Sequence, residues 1–257
     1  PPLREWLAQH HGTTADHVLV TNGSLEGYVF LLETFLSPGD LIALEAPTYD
    51  RAMLQAQLHG MEILSIPMQL DGLDVDALAA ACEAGRVPKL VYTIPNFHNP
   101  AGTTISLEKR KALIALAERY DFWILEDDPY GRLRFEGDDI PGIYELAGPD
   151  RVMFSSSFSK TLAPGLRVGY LIAPAELEEF NEGVDQTAAA VDRLAAKLQL
   201  LNPRATLDWY AERFALQWRP AARDLAKPLL WIHAVSVGET VAAAPLVREL
   251  RHDYPEH

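Results

Sequence analysis

The chain has 257 residues, 48% of them hydrophobic, and a formal net charge of −14. This length and composition allow a sizeable soluble core. The charge argues against a broad nucleic-acid-binding surface, because an acidic surface repels phosphates. No apolar run approaches the roughly 18 residues that span a membrane. The single Cys82 cannot form an internal disulfide, which fits a reducing, cytoplasmic setting.

Seven short apolar runs, rich in β-branched and aromatic residues, are predicted strands. They are Val18–Thr21, Leu41–Glu45, Glu62–Pro67, Leu90–Ile94, Phe122–Glu126, Val152–Ser155 and Val168–Ala173. Several are continuously apolar rather than alternating, which is typical of strands covered on both faces.

Helical patterns separate many of these strands. Ser24 is predicted as an N-cap, and an apolar stripe at helical spacing follows it; Ser106 precedes a second stripe. Strands alternating with helices predict a three-layer α/β domain. From about Ala175 the pattern changes to an amphipathic helix that ends at Asn202-Pro203, then a strand at Leu229–Val237 and a helix at Gly238–Leu250.

Lys160 lies in an unusual setting, within the stretch SSSFSKTLAPGLRVGY that begins at Ser155. A deprotonated lysine amine condenses with aldehydes to form a Schiff base. The hydroxyl groups around it and Arg167, seven positions later, suit a phosphate. An aldehyde that carries a phosphate indicates pyridoxal 5'-phosphate (PLP). The alternative is an ordinary solvated lysine.

Asp127 follows a predicted strand, at the kind of sheet edge where α/β proteins bind ligands. The alternative for Glu126-Asp127-Asp128 is a solvated acidic turn or an acidic metal site, and Asp128 is predicted to be a turn residue. His98, together with His59 and Cys82, is predicted to be an ordinary loop or helix residue.

Two further segments are ambiguous when taken alone. Asn99-Pro100-Ala101-Gly102 is a common turn sequence. Gly23-Ser24 opens a predicted helix, where free N–H groups and the helix dipole favour an anion. Ser24 serves equally as a plain cap, and Tyr49 equally as a plain core or surface tyrosine.

Taken together, residues 3–177 resemble the fold-type I PLP-dependent aminotransferases, in particular the 2-aminoadipate aminotransferases and the aminotransferase-like half of GntR-type regulators. The resemblance implies a mostly parallel seven-stranded sheet in which Val168–Ala173 is the antiparallel strand. It also implies a homodimer that acts on an amino acid and a 2-oxo acid. No nucleic-acid or membrane partner is expected from the charge and the apolar runs, and no metal, since no further oxygen ligands for one are identified.

The resemblance assigns a role to each candidate residue. Lys160 forms the Schiff base and moves the proton, Asp127 holds the pyridinium proton, and Tyr130 donates to the ring hydroxyl. The remaining cofactor-binding residues bind the ring hydroxyl (Asn99), stack on the ring (Tyr49) or bind the phosphate (Gly23, Ser24, Ser157, Ser159 and Arg167).

Two parts of the family pattern are not found in the sequence. These are the segment before Pro1 and the small domain whose arginine binds the substrate carboxylate, so we expect turnover to be impaired. Residues 208–257, including Trp231–Thr240, instead resemble the start of 3-deoxy-manno-octulosonic acid transferases, in which the residue at Glu239 is the proposed general base.

The predicted division is an N-terminally truncated aminotransferase large domain at 1–177, a helical linker at 178–207 and a strand–helix segment at 208–257. The leading prediction is an aminotransferase. The alternatives are a non-catalytic PLP-binding module, a glycosyltransferase fragment and a composite chain without function.

Overall fold

The computed structural model describes residues 2–174. Within these residues the helices are α1 (Pro2–His11), α2 (Ser24–Phe35), α3 (Asp50–Leu58), α4 (Val75–Glu83), α5 (Leu107–Tyr120) and α6 (Ile143–Ala147). The strands are β1 (Val18–Thr21), β2 (Leu41–Ala46), β3 (Glu62–Gln69), β4 (Gly72–Leu73), β5 (Leu90–Thr93), β6 (Trp123–Asp127), β7 (Val152–Ser157) and β8 (Gly169–Ile172).

The strands form one mixed sheet in the order β1-β8-β7-β6-β5-β2-β3-β4. Neighbouring strands from β7 to β3 pair in parallel, and β8 runs antiparallel to both β1 and β7. The predicted α/β class, the seven predicted strands and the antiparallel assignment of the last one are therefore confirmed. The sequence pattern missed β4, because two residues that pair antiparallel with the end of β3 are too short to show a period.

Helices cover both faces of the sheet, which gives the three layers. Along β2, Ile42 and Leu44 pack with the α2 and α3 side, whereas Ala43 packs with the α1, α4 and α5 side. Successive strand residues point to opposite faces, so continuous apolar runs supply both cores. The same alternation puts Asp127 on the α2 and α3 face, next to Leu125, and Glu126 on the opposite face.

The two predicted N-caps have different outcomes. Ser106 caps α5, with its hydroxyl accepting from Lys109 N at 3.5 Å. The prediction for Ser24 is wrong: Gly23 occupies the cap position with φ +89°, and Ser24 is the first helical residue. The left-handed backbone at Gly23 is easy for glycine and rare for other residues, and a shift of one residue is invisible to an apolar pattern.

No helix within residues 2–174 is long and apolar enough to cross a membrane. The predicted helix and strand elements after residue 175, and the segments 178–207 and 208–257, lie outside the described residues.

Candidate active site

The carboxyl ends of β5, β6 and β7 meet the start of α2 and the start of α3 around a recess of about 230 Å³. This is the edge of a parallel sheet at which ligands bind. The residues that line it are Ser24, Leu25, Tyr28, Tyr49, Ala52, Tyr92, Leu125, Asp127 and Ser155. Three of the predicted cofactor residues, Ser24, Tyr49 and Asp127, are thus brought together.

Asp127 is the charged group of the recess. Its Oδ2 accepts a hydrogen bond from the Tyr92 hydroxyl at 2.7 Å, whereas its Oδ1 is buried and has no partner among the described residues. Burial raises the pKa of Asp127 to about 7; the Tyr92 hydrogen bond opposes that rise, and the nearby Asp128 and Glu45 add to it. A buried acceptor without a donor is costly, so this oxygen suits a ligand that brings an N–H group, as a pyridinium ring does.

Two buried phenols lie beside Asp127, and sequence reasoning missed both. The rings of Tyr28 and Tyr92 are 5.2 Å apart between centroids. Burial, together with the charge of Asp127, raises the pKa of both hydroxyls. The Tyr28 hydroxyl has no partner among the described residues. The apolar strand and helix patterns that contain these tyrosines indicate burial but not their neighbours.

The neighbours of Asp127 do not form a solvated acidic turn, so that alternative is wrong. Glu126 is buried and accepts from the backbone N–H groups of Ile143 at 3.1 Å and Tyr144 at 2.7 Å. Burial raises its pKa to about 7. Asp128 accepts from Gly131 N at 2.8 Å and from Asn96 Nδ2 at 3.0 Å, as a turn residue does. Their oxygens are thus occupied by structural donors.

A second group of predicted residues gathers at the start of α2. Arg167 Nη2 donates to Asn22 O at 3.2 Å, and a Cβ on Gly23 would lie 2.6 Å from that same nitrogen. A Cβ on Gly169 would lie 2.4 Å from Gly23 C and Ser24 N. Glycines therefore let β8, the arginine and the helix N-terminus come close, where the helix dipole and the guanidinium both favour an anion.

Ser157 is the last residue of β7, and Ser159 follows in the turn after it. Ser159 N donates to Ser157 Oγ at 3.0 Å, and the two hydroxyl oxygens are 2.9 Å apart. Lys160 follows in the turn, where it is half-buried. Lys160 is next to Ser159 in the sequence, but it is not among the residues that line the recess. The structure therefore shows no contact between Lys160 and Asp127.

Asn99 and Tyr130 form a pair at a second edge of the site, outside the lining of the recess. Burial and the charge of Asp127 raise the pKa of Tyr130, and the neighbouring Asn99 side chain opposes that rise. Burial, and then the charges of Asp50 and Asp127, raise the pKa of Tyr49. Tyr49 and Tyr130 also pack against the same buried cluster, on the α2 and α3 face of the sheet.

The prediction that His98 is an ordinary loop residue is wrong. Its Nε2 lies 3.0 Å from Glu45 Oε2, and both side chains are fully buried. A signal for this pair is present in the sequence: Glu45 is the one acidic residue of an otherwise apolar strand and lies in its buried part, and a buried charge needs a partner.

Comparison with known families gives two matches. The model of the family described as "Aminotransferase class I and II" matches residues 1–208. The model described as "3-Deoxy-D-manno-octulosonic-acid transferase (kdotransferase)" matches residues 208–257, which lie outside the described residues.

Individual relatives are aminotransferases. Aromatic-amino-acid aminotransferase 1 of Thermococcus litoralis is 38% identical over 193 residues, which cover 71% of this chain and 46% of the relative. The 2-aminoadipate transaminase of Thermus thermophilus is 36% identical over 191 residues, covering 72% and 48%. The chain therefore spans about half the length of the curated relatives it matches.

Solved structures agree with the fold. The crystal structure of LysN, the α-aminoadipate aminotransferase of Thermus thermophilus, superposes with a TM-score of 0.70 at 31% identity, and the match covers 84% of this chain and 56% of that chain. LysN was crystallised in complex with N-(5'-phosphopyridoxyl)-L-leucine.

Proposed function

Since the chain belongs to the class I and II aminotransferase family, we propose that it binds PLP and transfers an amino group between an amino acid and a 2-oxo acid. The observation that carries this proposal is the buried Oδ1 of Asp127, which has no partner within residues 2–174, in a recess that Tyr49 and Ser24 also line. A buried carboxylate oxygen that lacks a donor suits the N–H of a pyridinium ring.

The other residues fit the rest of the cofactor. Gly23, Ser24 and Arg167 at the start of α2, together with Ser157 and Ser159, suit its phosphate. The neighbouring side chains of Asn99 and Tyr130 suit its ring hydroxyl, and Tyr49 suits the ring face. Lys160 supplies the amine.

When bound, PLP supplies an aldehyde for a lysine amine and a ring that accepts electrons released at the amino acid Cα. Asp127 keeps a proton at the ring nitrogen, because its carboxylate is held by Tyr92 on one oxygen and has no partner on the other in the part of the chain that the structure describes. Tyr130 and Asn99 orient the ring through its hydroxyl. Lys160 acts as the base that takes the Cα proton and returns it.

Substrate class, assembly and location follow only at the level of the family. We propose an amino acid and a 2-oxo acid as substrates, a homodimer as the assembly and the cytoplasm as the location. The division at residues 177 and 207 belongs to the same proposal. For residues 208–257 we propose a separate origin from the aminotransferase part, supported by their match to a different family.

Covalent trapping tests the proposal. The 257-residue chain is incubated with PLP, reduced with borohydride and mapped by mass spectrometry. We expect one label, on Lys160, that is lost in Lys160→Ala and retained in Lys111→Ala, since Lys111 is exposed on α5. A label scattered over surface lysines contradicts the proposal.

Turnover is tested separately, on protein that has been incubated with PLP but not reduced with borohydride. We expect an amino acid to deplete the visible band of the bound cofactor and to yield its 2-oxo acid. A chain that is labelled at Lys160 and yet forms no 2-oxo acid is a PLP-binding module rather than an aminotransferase. Binding of a sugar nucleotide to the intact chain is the corresponding measurement for the transferase-like segment.

A further inference from the structure

The loop from Pro95 to Ile105, which connects β5 to α5 and carries Asn99, is held from two sides by buried charged groups. On one side is Glu45 of β2, which is 2% exposed. Its Oε1 accepts from the Thr93 hydroxyl at 2.6 Å, and its Oε2 accepts from Ile94 N at 3.0 Å. Glu45 is thus fastened to the end of β5, the point where this loop begins.

His98 connects Glu45 to the middle of the loop. Ala101 N donates to His98 Nδ1 at 3.1 Å, so Nδ1 is an acceptor and Nε2 carries the hydrogen. Nε2 lies 3.0 Å from Glu45 Oε2 but off the line of an ideal hydrogen bond. The contact is therefore mainly an electrostatic one, between two side chains that water does not reach.

The backbone of His98 holds the same loop. His98 N donates to Thr103 O at 2.8 Å, and Gly102 N donates to His98 O at 2.6 Å. Three bonds from one residue therefore close the turn that contains Asn99 at its second position. A change in where the His98 ring sits must be transmitted to this turn.

Arg110 of α5 holds the two ends of the loop from the other side. It is fully buried; its Nε donates to Ile105 O at 3.0 Å, and its Nη2 donates to Pro95 O at 3.2 Å and to Asn96 Oδ1 at 2.7 Å. With both ends fixed by Arg110, the orientation of the central turn depends on the contact between Glu45 and His98.

We propose that Glu45 and His98 are positioning residues, which hold Asn99 against Tyr130 and thereby set the polar contacts that this pair makes to the cofactor. The inference rests on the proposed function, since it assigns Asn99 and Tyr130 to the ring hydroxyl of PLP. Neither Glu45 nor His98 lines the recess, so both act through the loop rather than by touching the ligand.

The test compares His98→Ala and Glu45→Gln with Leu78→Ala. Leu78 is fully buried in α4 and takes no part in the hydrogen bonds of Glu45, His98 and Arg110, so its truncation lowers stability while leaving those bonds in place. Urea unfolding first establishes the stability of each variant. Hydrogen exchange without cofactor then follows the amides of residues 95–105, and absorbance titration measures the PLP dissociation constant.

We expect both loop variants to exchange faster at residues 95–105, while the amides of β2 and β6 stay protected. Their affinity for PLP falls about tenfold, the loss expected when a hydrogen bond worth roughly 1.4 kcal/mol is misplaced. The visible band of bound PLP changes with pH, and we expect the midpoint of this change to shift in both loop variants. The reason is that contacts to the ring hydroxyl stabilise its ionised form. Leu78→Ala leaves the exchange of the loop, the affinity and this pH unchanged.

Two outcomes overturn the inference: wild-type affinity and pH response in His98→Ala, or the same losses in Leu78→Ala at equal stability. A failure of the proposed function is distinguishable from both, because the unmodified chain then shows no borohydride label at Lys160. Even then, hydrogen exchange of the amides of residues 95–105, measured without cofactor, shows whether Glu45 and His98 hold the turn.

Discussion

Tyr92 donates its hydroxyl to Asp127 Oδ2 over 2.7 Å, across 35 residues of sequence, and leaves Oδ1 of the same carboxylate without a partner among the described residues. One oxygen is therefore oriented by the protein, and the other is available to a ligand. Asp127 differs in this respect from Glu126, whose two carboxylate oxygens both accept hydrogen bonds from backbone N–H groups.

Tyr92→Phe tests the orienting bond. Removing the hydroxyl raises the pKa of Asp127 beyond about 7, because the Tyr92 hydrogen bond lowers it, and a protonated Asp127 cannot hold a pyridinium ring. We expect PLP affinity to fall by about tenfold at pH 6 and by less at pH 9. Absorbance titrations at the two pH values measure this. Tyr120→Phe, on α5 away from the site, is the control. Equal losses at both pH values would show that the bond does not act through the charge of Asp127.

Asp127→Asn is expected to change how stability depends on pH in the absence of cofactor. The folded pKa of about 7 lies above the unfolded value of about 3.9. The folded chain therefore binds the extra proton between these values. The contribution of Asp127 is fully present below about pH 4 and is lost as pH rises through about 7.

The asparagine removes this loss, so the free energy of unfolding at pH 8 rises by about 1–3 kcal/mol relative to the parent, and the difference is smaller at pH 5. Urea unfolding at the two pH values checks it. Asp138→Asn serves as the control, since Asp138 is exposed. A parallel shift at both pH values would contradict the raised pKa. Glu126 shares the rise and is unchanged in both chains.

Gly169→Ala tests the close packing of β8 on the start of α2. The added methyl meets Gly23 C and Ser24 N at 2.4 Å, and both are backbone atoms that cannot rotate away. We expect a loss of about 1–3 kcal/mol in stability and weaker binding of inorganic phosphate. Gly165→Ala is the matched control, because no atom of residues 2–174 lies within 4 Å of a Cβ there. Calorimetry with phosphate and urea unfolding measure the two effects.

Arg110→Lys tests the second clamp on the loop. A lysine retains the charge but cannot reach Ile105 O, Pro95 O and Pro141 O together, as the guanidinium does. Since buried acceptors then lose their donors, we expect the free energy of unfolding to fall by about 2–4 kcal/mol. Arg86→Lys, at an exposed position, is expected to change it by less than about 0.5 kcal/mol. Similar effects of both substitutions in urea unfolding would refute this account.

Local patterns in the chain were enough to predict the class of fold. The seven apolar runs, the helical stripes between them and the cap at Ser106 each depend on residues within a few positions of one another. The position of Asp127 at the carboxyl end of a strand was also predicted, since a strand end is a local feature. Side-chain alternation then decides which of Glu126, Asp127 and Asp128 faces the recess, and this follows from the register of β6 with its neighbours.

The partners of these residues depended on the tertiary structure. Tyr92 and Asp127, Glu45 and His98, and Gly23 and Gly169 meet only because strand order and register bring distant segments together. Gly23 rather than Ser24 caps α2, because its left-handed backbone is required where the chain turns between β1 and the helix. The spacing of apolar residues indicates which positions of one segment are buried, so strands and helices could be predicted from the sequence. A hydrogen bond or a close approach depends on two segments that are distant in the sequence, so the contacts that shape the site could not be predicted.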